Sequence, residues 1–449
     1  MLPSLNALPV DETTYPSFGD RIRLYQTPLG GYVVLSSGSS HDELLFPVSV
    51  PQFAFLRKID GLTSLRGLLQ DSNAPSGLAL VVSLANLNGI ILSDTPQSRV
   101  PPLAGSGECF VPFHIILELT NGCNLACKHC YVSASAGRSL EIPSPLALRI
   151  LQESSNLGVD SIQLSGGEPL LHPEFETILA DAYRRFRRVS VSTNGTLLSP
   201  ELVKRLSYTS DKITVQVSID SAYEHQHDQI RKRRGAFRAS IAALGALAAH
   251  GFDTRVCISV FPDTTRQLQE LVALLGRLGV RRISYVPVMP WGRGRHVAWP
   301  KESPDAIHRC LVDECRLQRE HGSIIDLVTL NDLRSLRPNC GAGTRLAAID
   351  AKGDVLLCPT MRIVLGSLQR ESLAAVLASA VVRRLATLEA PGDSNCSGCP
   401  SLLYCMPCIS RGLTKAASAK DRCAWSISHQ EELAAITTRS PVLCPQATN

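Results

Sequence analysis

Phe113-His114-Ile115-Ile116-Leu117-Glu118-Leu119-Thr120-Asn121-Gly122-Cys123-Asn124-Leu125-Ala126-Cys127-Lys128-His129-Cys130 is the stretch on which the reading of this sequence turns. Its first part is an apolar run that predicts a strand over 113–119. Its second part places three cysteines within eight residues, separated by three and then two residues. Three thiolates on one loop can each bind a different iron of a cubane and leave the fourth iron without a protein ligand. A zinc loop and plain buried thiols are the competing readings. Zinc needs a fourth Cys or His, and His129 is poorly placed for that on so tight a loop.

Downstream, apolar strand patterns alternate with amphipathic helix patterns as far as about residue 290. Strands are predicted at 113–119, 160–164, 188–192, 213–218, 254–260 and 282–286, with helices at 145–157, 173–184, 200–206, 235–250 and 266–277. This is the alternation of a parallel sheet with right-handed crossovers. Six such units predict an α/β fold over 108–300, a partial (β/α)6 TIM-like barrel. Active sites of such barrels gather at the C-terminal ends of the strands.

Chemistry-bearing residues recur at those ends. Gly166 and Gly167 let backbone approach a ligand closely, and Glu168 can accept from an ammonium group. Ser192 and Asn194 close the next strand with small polar groups. Ser218 and Asp220, two residues apart, share a strand face. Arg231 offers the planar fork suited to a carboxylate. In this order the loop and its followers resemble the radical S-adenosylmethionine (radical SAM) family. The resemblance implies a 4Fe–4S cluster on Cys123, Cys127 and Cys130 whose open iron binds SAM, and reductive cleavage of SAM to a 5′-deoxyadenosyl radical. It implies that Gly166, Gly167 and Glu168 meet the methionine amino group, that Ser192, Asn194, Ser218 and Asp220 lie near the ribose, and that Arg231 pairs with the carboxylate. Val286, with Pro287, would border the adenine, and His129 would lie on the cofactor side of its loop.

A second group of cysteines follows: Cys340, Cys358, Cys396, Cys399, Cys405, Cys408 and Cys423. Seven exceed what one metal site needs, and either two zinc sites or two cubanes would use them. Downstream of such a barrel the pattern resembles the SPASM extension, which carries two auxiliary 4Fe–4S clusters, although only two residues separate Cys405 from Cys408 where three are usual. The resemblance implies interleaved ligation, with Cys340, Cys358 and Cys408 on the first cluster and Cys396, Cys399, Cys405 and Cys423 on the second. The first cluster then has either an open iron or a fourth ligand such as Cys444. Cys109, Cys257, Cys310 and Cys315 fit no ligand spacing, and Cys257 reads as a small core residue. The expected domains are 108–300 for the barrel, 301–338 for a bridging segment and 339–449 for SPASM.

Residues 1–18 read as irregular. Strand patterns at 21–25, 32–36 and 44–50 precede helix patterns near 51–59, 62–70 and 76–87, the layout of a winged-helix module over 1–100. In that layout and in Phe55-Leu-Arg-Lys-Ile-Asp-Gly-Leu-Thr-Ser-Leu65 it resembles the peptide-recognition element of enzymes that modify ribosomally made peptides, in which a leader peptide adds a strand to the sheet edge; a structural N-terminal cap is the alternative. Residues 94–108, rich in Pro, Gly and Ser, read as a linker.

With 449 residues, 44% of them hydrophobic, the chain has material for two or three cores. Aromatics make up only 5% and net charge is +5, which gives no support for nucleic-acid binding. The charge is −2 over residues 1–100 and so +7 over the rest. Arg184–Arg188 and Arg231–Arg234 are basic clusters that read as solvated helix faces or as steering for an acidic partner. No signal peptide or membrane-length apolar run appears, so a cytoplasmic protein with no membrane partner is expected. Fifteen cysteines there point to metal or redox sites rather than disulfides. The expected enzyme is a radical SAM peptide maturase that crosslinks a precursor peptide, fed by a flavodoxin- or ferredoxin-type reductant. Oxidation of a protein side chain, as in sulfatase-maturing relatives, modification of haem or another small molecule, and a non-catalytic iron–sulfur scaffold are the alternatives.

Overall fold

The computed structural model describes residues 11–36, 43–72, 77–138, 140–261, 267–280, 282–289, 291–297, 319–320, 326–328, 339–418 and 423–437. Cys310, Cys315, Cys444 and most of the bridging segment lie outside them. The chain divides into two compact units, Met1–Val111 and Pro112–Asn449.

In the first unit, β1 (Tyr15–Phe18) is followed by β2 (Ile22–Thr27), β3 (Gly30–Ser36) and β4 (Glu43–Val48). Helices α1 (Val50–Leu56), α2 (Leu65–Ser72) and α3 (Gly77–Asn86) precede β5 (Ile90–Ser93) and β6 (Leu103–Gly105). Ser49-Val-Pro-Gln52 starts α1 with a capping box, in which each end's side chain meets the other's amide. Phe18, Ile22, Leu24, Val33, Phe53 and Leu84 meet in one core. Two expectations are corrected here. Residues 1–18 are not all irregular, because Tyr15–Phe18 pairs antiparallel with β5. Nor is 94–108 a free linker, because β6 runs parallel to β2 with Leu24 opposite Leu103, giving the order β4-β3-β2-β6.

In the second unit, six parallel strands run in sequence order: β7 (His114–Thr120), β8 (Ser161–Gly166), β9 (Arg188–Thr193), β10 (Ile213–Ser218), β11 (Asp253–Val260) and β12 (Arg282–Pro287). Crossovers use α4 (Ser144–Asn156), α5 (Phe175–Arg185), α6 (Pro200–Leu206), α7 (Glu224–Arg231), α8 (Ala236–Ala249) and α9 (Leu268–Arg277). α7 was not anticipated; its polar sequence shows little apolar periodicity. The sheet is also wider than six strands. β13 (Asp326–Val328) pairs parallel with β12, and β14 (Leu346–Ile349) pairs parallel with β7. β15 (Asp354–Leu356) and β16 (Val364–Ser367) continue antiparallel, so among the described residues ten strands form one sheet.

Alternation along these strands separates two faces. Ile213, Val215 and Val217 of β10 are buried, and Val191 and Val215 line the same small gap as Leu179 and Leu247 of the helices. The opposite face is polar. His114 Nε2 lies 3.3 Å from Gln163 Oε1, and Gln163 and Gln216 (2.9 Å) both donate to the Ser192 hydroxyl. Closed eight-stranded barrels fill this space with branched apolar side chains. Here a ladder across four strands keeps it polar, which suits a chamber. Cys257 sits on this partly exposed face rather than under the helices, a correction to its reading as a core residue. The basic cluster at 184–188 is partly offset locally: Arg184 and Arg185 share Asp181, and Arg187 and Arg188 share Asp160.

Candidate functional site

The cysteine loop leaves the end of β7 and folds back on itself. Cys123 N donates to Ser135 O, and Asn121 N to Leu140 O. Cys123 and Cys127 are buried and Cys130 is half-buried, all packed with Leu125, Val132 and Ala134. Each sulfur has a nitrogen donor from the chain: Leu125 N to Cys123 (3.4 Å), Ala134 N to Cys130 (3.3 Å) and the Arg231 guanidinium to Cys127 (3.7 Å). Asn194 Nδ2 stands 3.9 Å from the Cys123 sulfur. Burial pushes the Cys123 thiol up to about 12, so displacement of its proton falls to a metal. Among the described residues no three His, Cys, Asp or Glu side chains close on a single point. A cubane asks for less, since each thiolate binds a different corner. His129 Nδ1 and Trp291 Nε1 are buried without hydrogen-bond partners among the described residues. The donor chemistry fits an iron–sulfur cluster.

The glycines at the end of β8 serve the chain's own packing. A Cβ at Gly167 would sit 2.0 Å from Gly122 O, and one at Gly166 2.4 Å from Thr120 O. Gly167 N donates to Thr120 O and Glu168 N to Gly122 O, which zips this turn to the root of the cysteine loop. Glu168 is fully buried, and its carboxylate accepts from Thr193 Oγ1, Asn194 N and Leu170 N. Burial pushes it up to about 7, against the bonds from Asn194 and Thr193. Glu168 thus ties the end of β8 to the end of β9. Asn194, held by Glu168, reaches both Asn124 Oδ1 (2.8 Å) and the Cys123 sulfur.

A second buried network reaches the loop from β10. The strand ends at Ser218, which is half-buried, so simple alternation does not carry on to Asp220. Asp220 accepts from Ser259 N and contacts Arg231 Nε at 2.7 Å, with His129 Nε2 at 4.0 Å. Burial alone would raise its carboxyl, but Arg231, His129 and His227 outweigh that and hold it low. Burial likewise opposes charge on Arg231, and Asp220 and Cys127 restore it. His129, edge-on to Phe261, is lowered to about 4 by burial. Arg231 thus contacts Asp220 and Cys127, and the Ser192 hydroxyl accepts from two glutamines. Val286 stands apart, 43% exposed.

The C-terminal cysteines fall into two groups. The Cys340 and Cys408 thiols hydrogen-bond to each other, and that bond together with Arg411 lowers Cys408 while Cys340 is raised. Cys358 is close enough to feel Cys408, and its sulfur accepts from Met361 N at 3.1 Å. Separately, Cys405 feels Cys423, Cys399 and Cys396, beyond the burial that pushes it up to about 12.

Two arginines enter that spacing arguments passed over. Arg362, four residues after Cys358, forks onto both oxygens of Glu118 at 2.8 and 2.9 Å and reaches Asp350 at 3.2 Å. A cavity of about 160 Å³ beside them is lined by Glu118, Thr120, Val132, Gly167, Asp350 and Arg362. Arg293 follows β12 and donates into the cysteine loop. A polar residue on an apolar strand (Glu118) and an arginine between glycines (Arg293) were the available signals.

Residues 117–275 match the radical SAM superfamily and residues 340–400 the SPASM iron–sulfur cluster-binding domain. The mycofactocin maturase MftC of Mycobacterium ulcerans is 32% identical over 55% of this chain and 68% of its own length. The chain belongs to the radical SAM superfamily. The subtilosin biosynthesis protein AlbA of Bacillus subtilis is 27% identical over 94% of this chain and 98% of its own length. The fold is shared with Streptococcus suis SuiB, solved bound to its precursor peptide SuiA, at a TM-score of 0.63 and 14% identity over 89% of this chain and 97% of that one. Membership makes the chain an enzyme that uses a 4Fe–4S cluster and SAM, with auxiliary iron–sulfur binding in its SPASM region. When bound, cluster and SAM together supply a carbon-centred radical from the reductive cleavage of SAM. No helix among the described residues is long and apolar enough to cross a membrane.

Proposed function

We propose that this enzyme matures a ribosomally made precursor peptide in the cytoplasm, taking hydrogen from the peptide to form a crosslink such as a thioether or carbon–carbon bond. One observation carries the reading: the similarity to AlbA runs over 94% of the chain and 98% of the relative. The N-terminal unit is therefore largely inside it, and a maturase has a use for that unit. Its four-stranded sheet ends on β4, an edge to which a leader peptide can add a strand. The Ser-Gly-Gly-Glu turn, Asn194 and the Asp220–Arg231 pair hold Cys123, Cys127 and Cys130 as ligands of the SAM-binding cluster. Cys340, Cys358 and Cys408, and separately Cys396, Cys399, Cys405 and Cys423, hold two auxiliary clusters that take the surplus electron. Glu168 and Asp220 act by positioning. The polar inner face, with Gln163, Ser192, Gln216 and Ser218, meets SAM and substrate and excludes bulk water. A flavodoxin- or ferredoxin-type protein supplies the electron that starts each turnover.

Side-chain oxidation of the sulfatase-maturing kind is less favoured, because it would need a carboxylate base after the second SPASM cysteine, and Cys358 is followed by Pro359-Thr360-Met361-Arg362, which has none. The test is mass spectrometry of the short peptide encoded beside this gene after anaerobic incubation with reconstituted enzyme, SAM and reductant. Loss of two hydrogens from the core peptide, abolished when the leader is removed, supports the proposal. Modification equally fast without the leader, or an unchanged peptide alongside SAM cleavage, contradicts it.

A further inference from the structure

We infer that Arg293 is a positioning residue for the SAM-binding cluster, holding the loop from Cys127 to Ala134 in the shape that aims its thiols at iron. Arg293 lies in the short turn Gly292–His296 just after β12. Its Nε donates to Cys127 O at 2.7 Å, its Nη2 to Ala134 O at 2.8 Å, and its backbone N to Cys130 O at 2.9 Å. A loop that turns its sulfurs to a metal leaves carbonyls without secondary-structure partners, and each needs a donor. One residue supplies three, at or beside two of the three cysteines. The planar guanidinium fork spans carbonyls seven residues apart, which a lysine ammonium on a flexible stem does less well.

The neighbouring sequence is built to let this happen. Gly292 has φ +52, and a Cβ there would lie 2.3 Å from Tyr131 O and 2.5 Å from Cys130 O. At Gly294 a Cβ would lie 2.3 Å from Met289 O and 3.3 Å from His129 O. Trp291-Gly292-Arg293-Gly294 therefore lies flat against the loop, with room only for glycine on either side of the arginine. From the other side Ile230 O accepts from Lys128 N at 2.9 Å, beside the Arg231 contact to Cys127. The cluster loop is thus held between the segment after β12 and the end of α7, two strands apart in the barrel.

The experiment compares full-length reconstituted enzyme with Arg293→Gln and Arg293→Lys, and with Arg295→Ala as a control, since exposed Arg295 donates to Gly292 O and not to the cysteine loop among the described residues. Iron release to a ferrous chelator is followed anaerobically, with the electron paramagnetic resonance of the reduced protein recorded before and after SAM. The expected result is that Arg293→Gln releases one cubane's share, about four irons, at least about tenfold faster than the unsubstituted enzyme. The remaining iron should leave at the unsubstituted rate. The spectral change on adding SAM should be lost, Arg293→Lys should fall between, and Arg295→Ala should be unchanged. Equal rates for all iron in every variant would overturn the inference. So would uniform loss of all iron, because that marks a general structural role. Cys127→Ala identifies the affected iron: if it does not abolish that same fraction, the ligand assignment fails rather than the role of Arg293.

Discussion

Replacing Asp220 by Asn isolates the buried charge on which the cluster loop depends. Asp220 is 0% and Arg231 6% exposed, so little solvent screens their 2.7 Å contact. Asparagine keeps the shape and can still accept from Ser259 N, so the main change is the lost negative charge beside Arg231. Removing one partner of a buried pair costs about 3–5 kcal/mol, because the other charge is left uncompensated. Urea denaturation of the metal-free protein, followed anaerobically by circular dichroism, should show a loss of that size for Asp220→Asn. Asp220→Asn combined with Arg231→Gln should recover at least about 1 kcal/mol of it, because the pair then leaves no uncompensated buried charge of its own. A single variant within about 1 kcal/mol of the unsubstituted protein, or a double variant worse than the single by the full cost of Arg231→Gln alone, would refute the reasoning.

Gly167→Ala should cost about 1–3 kcal/mol in the same assay, since its Cβ would lie 2.0 Å from Gly122 O. Gly137→Ala, with nothing within 4 Å, should stay within about 0.5 kcal/mol. His114 is lowered to about 4 by burial, from an unfolded value of 6.5. Its neutral form therefore supports the fold above pH 6.5, and that support drains away as pH falls towards 4. It amounts to about 3 kcal/mol at 1.36 kcal/mol per pH unit, and His114→Gln should flatten the pH–stability curve in that window. Glu118→Gln should cost about 1–3 kcal/mol, discounted because the Arg362 side chain is 33% exposed and keeps Asp350. Reconstituted enzyme should hold about twelve irons for three cubanes, by colorimetric assay, against about four if the C-terminal cysteines bind zinc.

The barrel was legible because its strands and crossover helices differ in period, and five of the six helices bordering the sheet follow apolar spacing. α7 was not, because Glu224-His-Gln-His-Asp-Gln carries no such spacing. β6 hid inside a Pro- and Gly-rich stretch because a three-residue edge strand is decided by its partner, β2, and not by its own composition. At the site, cysteine spacing located the thiols, and in the structure Cys408 lies near Cys340 and Cys358 while Cys405 lies near Cys396, Cys399 and Cys423. The polar contacts were harder. Spacing placed Glu168, Ser192 and Arg231 near the chemistry, yet could not show that each is engaged by Asn194, Gln163 or Asp220. A sequence shows which groups are available but not which partners have already claimed them. Arg362 and Arg293 were missed for the same reason, since their partners lie 244 and 166 residues away.

The central claim is that the Cys123–Cys130 loop supports reductive cleavage of SAM. Reconstituted, reduced enzyme incubated anaerobically with SAM should release 5′-deoxyadenosine, measured by liquid chromatography. The variant with Cys123, Cys127 and Cys130 all changed to Ala should release none while keeping its auxiliary iron. No 5′-deoxyadenosine from the intact enzyme, or equal amounts from both proteins, would contradict the account.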